Sequence, residues 1–496
     1  MTTNTLSPKP NIVKQNAFFL VLLFTIILVG GIWLRFDSLG RASLWIDEAF
    51  VDWFTNKSWS EMFTALHLDA VFLPAQFVMV KIFTGVLGKT EFTLRLFSAF
   101  IGCVGIVMAI LLGWLIGKWP GAIISGWFWA FHPMLVWYSQ DAKPYALGST
   151  LALTLIILFL TLQRRKSTLY SIMAILVIMV GLLSHHYFFL VTMALILYSM
   201  ARMFIDPGFF TKWFGLTIAG SIPMVIWLVW YFSQTNPSIG IGWIAQPKLL
   251  DILETFWNLY SGYGGQVSLL TTMFGALAIF LTIIGIASGD DKNLAKYSLI
   301  FGLLVPITVV WLVSQRRPIY MDRYFIIILP FAIPPLSRGA LRVWDTIIQK
   351  TDKTYLSMIA VTSIAVLIGL GMLTGRQVRI ENKYAREDWR ELTTYLLQKE
   401  AETPRVWFYD PESLIPFQYY ANGRTLQLIK SNVPPTCLDS CWYVIRQPFT
   451  PTHAFAQGGD TQQQEWLPDL PQNCRLIDQW VSPSRLALWK VSCGIR

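Results

Sequence analysis

The chain has 496 residues, of which 54% are apolar and only 14% charged, against about 25% charged in soluble domains. That balance excludes a soluble globular protein and leaves a polytopic membrane protein. The formal charge of +10 is spread among loops, so it implies no nucleic-acid partner and reads as an orientation signal.

A hydrocarbon core of ~30 Å takes ~20 helical residues to cross. In chain order the charge-free runs of that kind are Asn16–Leu34, Leu96–Gly117, Pro120–Trp137, Pro144–Leu162, Leu169–Leu183, Tyr187–Ala201, Trp213–Phe232, Val267–Ser288, Tyr297–Ser314, Tyr324–Leu336 and Tyr355–Gly375. The first shows no cleavage site and reads as an anchor. Val71–Leu87 carries Pro74, Gln76 and Lys81, too polar for hydrocarbon, and is predicted to be an interfacial or re-entrant helix. About eleven spans result, with interfacial helices in the first exported loop.

The distribution of basic residues supports that parity. With a cytoplasmic N-terminus (Lys9, Lys14), the later inside loops hold Lys118, Arg164, Arg165, Lys166, Arg202, Lys212, Lys292, Lys296, Arg338, Arg342, Lys350 and Lys353. Outside lie Lys143, Lys248, Arg316, Arg317 and Arg323. A spanning Val71–Leu87 would invert this excess.

Residues 376–496 then form a small exported α/β domain behind a membrane domain of residues 1–375. Arg386–Leu397 has helical spacing, and Val406–Tyr409, Leu426–Ile429, Trp442–Ile445 and Leu486–Val491 read as short strands. Four of the five cysteines (Cys437, Cys441, Cys474, Cys493) fall in this segment, as disulfides in an oxidising compartment would require. Four cysteines allow three connectivities, and the sequence does not choose among them.

The polar oddities converge on the exported face. Asp47 and Glu48 follow the first span, and Tyr138-Ser139-Gln140-Asp141-Ala142-Lys143-Pro144-Tyr145 joins the third to the fourth. His185-His186 lies at the next exported hairpin, and Arg316, Arg317, Tyr320, Asp322, Arg323 and Tyr324 lie before the tenth span. Three arginines on the wrong side of the membrane call for another cause, and binding an anion is the natural one.

These motifs resemble the C-superfamily (GT-C) integral membrane glycosyltransferases, especially the protein-mannosyltransferase-like and lipid A aminoarabinose transferases. The resemblance rests on Asp47-Glu48, on the Tyr138–Ala146 loop, on Asp322-Arg323-Tyr324-Phe325 and on the Glu387-Asp388-Trp389-Arg390 start of the tail. It departs at residues 67–74, where relatives often carry a His-Pro-Pro-like element. It implies a bacterial inner-membrane enzyme with a periplasmic C-terminal domain, using a polyprenyl-phosphate sugar as donor. The sugar would pass, with inversion, to a hydroxyl of a lipid, glycan or protein acceptor.

The chemistry asks for the same groups. Transfer needs a base for the attacking hydroxyl and cations for the departing phosphate. A phosphate leaves without the acid that glycosidases supply. Asp47 is the expected base, with Glu48 supporting it and Asp141 a further catalytic candidate. Lys143, Arg316, Arg317, Arg323 and Tyr324 are expected on the donor phosphate, with Tyr138, His185, His186 and Tyr320 lining the site. No cofactor is specified, and a divalent metal is left open.

Blander readings stand beside these. Asp47-Glu48 could be a solvated loop, and Asp141 could simply precede a helix whose first turn holds Pro144. Arg316 and Arg317 could be interface snorkelers, and Asp322-Arg323 a local ion pair. A polysaccharide polymerase or O-antigen ligase, or a lipid-linked sugar transporter, would share the span count. The first favours one large central exported loop, and the second polar residues in mid-bilayer and internal repeats. Reporter fusions should place Gln418 outside and Thr168 and Asp345 inside; a cytoplasmic Gln418 would overturn the eleven-span scheme.

Overall fold

The computed structural model describes residues 10–68, 71–233, 244–262, 269–288, 294–350, 369–370, 387–400, 403–446 (without 432 and 438) and 470–494 (without 472 and 483–485), with backbone only at 10–19 and 348–350. All of the predicted span Tyr355–Gly375 except residues 369–370 lies outside the described residues.

Helix α1 (Pro10–Phe36) leads into three short helices: α2 (Ile46–Asn56), α3 (Trp59–His67) and α4 (Pro74–Leu87). Asp47 and Glu48 therefore stand in the first turn of a helix, not in the expected loop. A Ser58–Glu61 capping box starts α3, and Pro74 starts α4. Leu44, Val51, Phe54, Met62, Leu66, Phe77 and Val80 pack these helices into one core with Leu94, Phe97, Ala142 and Leu147. Lys81 sits in α4, half-buried against α2. Its ammonium donates to the carbonyls of Thr55 (2.9 Å) and Lys57 at the C-terminus of α2, where the helix dipole favours a cation.

The predicted second and third spans form one element, α5 (Glu91–Phe131), that folds back on itself where Gly117 and Lys118 leave helical geometry. Gly113 and Gly121 face each other across the hairpin so closely that a Cβ on either would strike the other's carbonyl oxygen. The returning arm stops at Phe131, not at Trp137 as expected. Pro133 bars the preceding residue from helix, and a separate α6 (Pro133–Ser139) follows.

Beyond it run α7 (Tyr145–Arg164), α8 (Thr168–Leu182), α9 (Phe188–Ala201), α10 (Pro207–Phe232), α11 (Leu250–Ser261) and α12 (Leu269–Ala287). Leu294–Ser314 is a continuous helix made of α13 (Leu294–Leu299), a π turn (Ile300–Leu304) and α14 (Val305–Ser314). The tenth predicted span is different in kind. Two 3₁₀ turns (Asp322–Ile327 and Leu329–Ala332) precede α15 (Ile333–Lys350). Pro330, lacking an amide hydrogen, sits at the start of the second turn.

Five described helical stretches are long and apolar enough to cross a membrane: α5, α7, α10, α12 and Leu294–Ser314. Along α10, Ile218, Ile222, Val225, Ile226 and Val229 are exposed at the i, i+4, i+7 spacing of one helix face, which suits lipid contact. The chain is an integral membrane protein.

The C-terminal unit holds α16 (Trp389–Lys399), β1 (Arg405–Phe408), α17 (Leu414–Ala421), β2 (Gln427–Leu428), β3 (Cys441–Arg446), β4 (Cys474–Val481) and β5 (Leu486–Cys493). The strand order is β2-β1-β3-β5-β4. β1 pairs in parallel with β2 and β3, while β5 runs antiparallel to β3 and β4. Strand β4 was not anticipated. It is an edge strand whose Arg475, Leu476 and Ile477 are all exposed, so it lacks the buried run that marks β1, β3 and β5. Disulfides join Cys437 to Cys441 and Cys474 to Cys493.

Helices α12 and α15 approach so closely that a Cβ on Gly285 would collide with the Pro335 carbonyl, and one on Gly339 with that of Leu281. Such contacts of small residues hold helices together where lipid removes the hydrophobic drive. Gly285→Leu and Gly339→Leu should therefore each lower the melting temperature and folded yield sharply. Gly215→Ala, at a position with open space, should behave as wild type.

Candidate active site

Helix α2 has no side-chain cap of its own at Trp45. The amide of Ile46, one of the orphan donors of any helix start, is met by Glu387 Oε2 at 3.1 Å. The C-terminal unit thus caps the helix that bears Asp47 and Glu48. Glu387 also accepts from Trp389 Nε1 at 2.7 Å and pairs with Arg446 at 3.5 Å, and Arg446 pairs with Asp410. Burial pushes the Glu387 carboxyl above its usual range, Arg446 pulls it back, and Asp47 adds to the rise. Two more ties join the same surfaces: Leu44 N donates to Tyr420 Oη at 2.7 Å, and Arg390 pairs with Glu91 at 2.6 Å.

Glu48 is fully buried against Arg95, with Oε2 accepting from Nη2 at 2.6 Å and Oε1 from Nε at 2.7 Å. The remaining guanidinium hydrogens reach the carbonyls of Leu39 (2.9 Å), Ala42 (2.8 Å) and Ser43 (2.9 Å). All five donors of Arg95 are therefore used. Glu48 Oε1 further accepts from Ala142 N at 3.1 Å.

That last contact anchors the turn between α6 and α7. Gln140 Nε2 holds the turn to the carbonyls of Leu34 (2.8 Å) and Asp37 (3.1 Å), and Gln76 Nε2 donates to Ala142 O at 3.2 Å. Trp45 Nε1 donates to Asp141 Oδ1 at 3.4 Å. The turn so held sets Lys143 Nζ 3.7 Å from Asp47 Oδ2. Of the three candidate acids, Glu48 and Asp141 are both fully buried. Asp47 has 27% of its side chain exposed. Only Asp47 is open to a substrate hydroxyl.

Arg323 is buried beside this pair, its guanidinium 5.9 Å from the Trp45 ring centre and 5.5 Å from that of Tyr324. Aromatic residues continue the wall: Tyr138 packs on Tyr145 (4.4 Å), and His185 lies between Tyr145 (5.5 Å) and Tyr324 (5.4 Å). His185 Nδ1 accepts from Tyr187 N at 3.1 Å, so the ring is held as lining. His186 next to it is half-buried.

Other expected residues are placed apart from this group. Arg316 and Arg317 are exposed just beyond α14, and neither forms an ion pair among the described residues. The Tyr320 hydroxyl is engaged with Thr255 Oγ1 at 2.7 Å. Asp322 accepts from Thr255 (2.5 Å) and Asn258 (2.7 Å) of α11; burial pushes its carboxyl up to about 6 despite these bonds. Among the described residues, no group of three or more His, Cys, Asp and Glu side chains is arranged to hold a metal. Arg95 and Glu387 are the site residues that sequence reasoning missed. Arg95 lies at the edge of an apolar run, and Glu387 opens the noticed Glu-Asp-Trp-Arg segment without any sign of its partner.

No family model matches the chain, and no curated protein matches its sequence. Among solved structures, ArnT from Cupriavidus metallidurans in the apo state superposes with a TM-score of 0.62 at 13% identity, over 96% of this chain and 98% of that one. The same protein bound to undecaprenyl phosphate gives 0.55 at 13%, over 95% and 98%. The chain therefore shares the fold of that protein. An Archaeoglobus fulgidus oligosaccharyltransferase with zinc and sulfate also aligns, with a TM-score of 0.49 at 14% identity over 82% of this chain and 62% of that one.

Removing one partner of a buried ion pair costs roughly 3–5 kcal/mol, whereas replacing both with apolar groups is often neutral. Glu48→Met and Arg95→Met should each lower the melting temperature strongly, and the double variant should recover much of the loss. Additive losses in the double variant would show that the pair is not coupled.

Proposed function

We propose that the chain is a glycosyltransferase moving a sugar from a polyprenyl-phosphate-linked donor to an acceptor hydroxyl on the exported face, with inversion. The observation that supports it most is the accessible Asp47 carboxylate set against Lys143 and beside the buried Arg323.

Asp47 takes the proton of the acceptor hydroxyl as that oxygen attacks the anomeric carbon. The bond from that carbon to the phosphate oxygen breaks, and its electron pair leaves with the polyprenyl phosphate. Lys143 and Arg323 meet the charge growing on the phosphate, and the wall of Tyr138, Tyr145, His185 and Tyr324 lines the sugar. Glu48 acts through position, holding α2 and the Lys143 turn. Arg316 and Arg317, outside this group, would guide the anionic donor toward it.

The exported location rests on the cysteines and the contacts of the tail. The C-terminal unit touches α2 directly, so Asp47 shares its side of the membrane. Its two disulfides suit an oxidising compartment. That side is then the periplasm of a bacterial inner membrane, with the N-terminus in the cytoplasm.

Asp47→Asn keeps the shape of the side chain but loses the basic oxygen. It should retain donor binding yet lose transfer by about 10²–10⁴-fold with polyprenyl-phosphate sugar. Lys143→Ala and Arg323→Ala should weaken donor use about tenfold to a hundredfold, the scale of a charge-assisted contact worth roughly 1.5–3 kcal/mol. Wild-type transfer by Asp47→Asn beside an inactive Asp141→Asn would move the base to the other turn. Turnover of polyprenyl-diphosphate oligosaccharide alone would replace the donor class.

A further inference from the structure

A cavity of about 350 Å³ lies at the other end of the bundle. Helix α7 begins at Tyr145, in the aromatic wall of the site, and its twentieth residue, Arg164, lines this cavity. At 1.5 Å per residue the two ends are about 30 Å apart, one membrane thickness. Arg164 in the last turn of α7, Arg202 at the end of α9 and Arg338 in α15 all line it. They come from three helices far apart in sequence. Gln163 and Ser199 add polar lining, and Asp206 is the one carboxylate among the described lining residues. That carboxylate already accepts from Phe209 N at 3.1 Å as the cap of α10. Among the described residues, neither Arg164 nor Arg338 forms an ion pair.

The positive-inside trend asks for basic residues on this face, but it does not ask that three of them meet in one cavity. Its volume falls in the ~300–1,000 Å³ range of small-molecule sites, and among the described lining residues the Arg164 and Arg338 guanidiniums, with Arg202 beside them and one committed carboxylate, favour an anion. What kind of anion is decided next door. Phe204 and Ile205, between Arg202 and Asp206, are 92% and 74% exposed. A soluble anion gains nothing from such a pair, whereas side chains of this kind at a membrane surface enter the acyl boundary.

We propose that this cavity binds the phosphate of an anionic phospholipid headgroup, in the leaflet opposite Asp47. The arginines take the phosphate, while Phe204 and Ile205 lie among the acyl chains. The site is independent of the transferase reading and would stand if that reading fell.

The full chain, purified in neutral detergent, is titrated with phosphatidylglycerol, phosphatidylcholine or inorganic phosphate and read by native mass spectrometry. The expected result is saturable retention of one phosphatidylglycerol, weakened at least tenfold in the Arg164→Gln/Arg338→Gln double variant. Neither phosphatidylcholine nor inorganic phosphate should displace it at equal concentration. Should the double variant fail to purify, Arg164→Gln alone, at an exposed position, should still weaken retention about threefold or more. Equal retention by wild type and variant, or of the two lipids, would overturn the proposal. Displacement by inorganic phosphate at equal concentration would make this a free-anion site and overturn the lipid assignment.

Discussion

The buried pair of Glu48 and Arg95 is the contact on which the rest of the site depends. Two charges taken out of water cost several kcal/mol each unless every donor and acceptor is met. Here the five guanidinium hydrogens go to Glu48 and to three carbonyls between Leu39 and Ser43. The pair thereby fixes, at once, the entry to α2, the first turn of α5 and, through Ala142 N, the turn that carries Lys143. Asp47, one residue from Glu48, inherits a fixed position without spending its own oxygens on structure. One acid of the Asp-Glu motif builds the site, and its neighbour stays accessible within it.

The second constraint comes from 341 residues further along the chain, where Glu387 caps Ile46 N. Its charge lies close enough to Asp47 to be felt electrostatically. The C-terminal unit is therefore part of the frame around Asp47, with Arg390–Glu91 and Tyr420–Leu44 fixing it against residues 44–91. An acceptor that shifted this unit would shift the capping of α2 with it. The cavity lined by Arg164, Arg202 and Arg338 lies toward the other end of α7 from this group.

Much of this organisation was legible in the residues because apolar length and charge placement follow simple physics. Helices α7, α8, α9, α10 and α12 lie where the apolar runs put them, and Val71–Leu87 forms the short helix α4. Asp47, Lys143, Arg323, Tyr138, Tyr324 and His185 all meet near one mouth. What stayed hidden was long-range. Arg95 looked like the polar edge of an apolar run, and nothing local tells that its partner is Glu48. Arg316, Arg317 and Arg323 formed one cluster in sequence, yet a turn of chain leaves the first two exposed and buries the third. The edge strand β4 leaves Arg475, Leu476 and Ile477 exposed and buries no residue fully, so burial imposes no regular period on it.

The central claim is that Asp47, Lys143 and Arg323 surround the reacting end of a lipid-phosphate sugar. A cryo-EM map of the full chain with a non-hydrolysable polyprenyl-phosphate sugar analogue tests it most directly. The account predicts the phosphate within hydrogen-bond reach of Lys143 or Arg323, with Asp47 facing the anomeric carbon from the side opposite the phosphate. Density for the phosphate only beside Arg316 and Arg317, or only in the cavity of Arg164, Arg202 and Arg338, would contradict it.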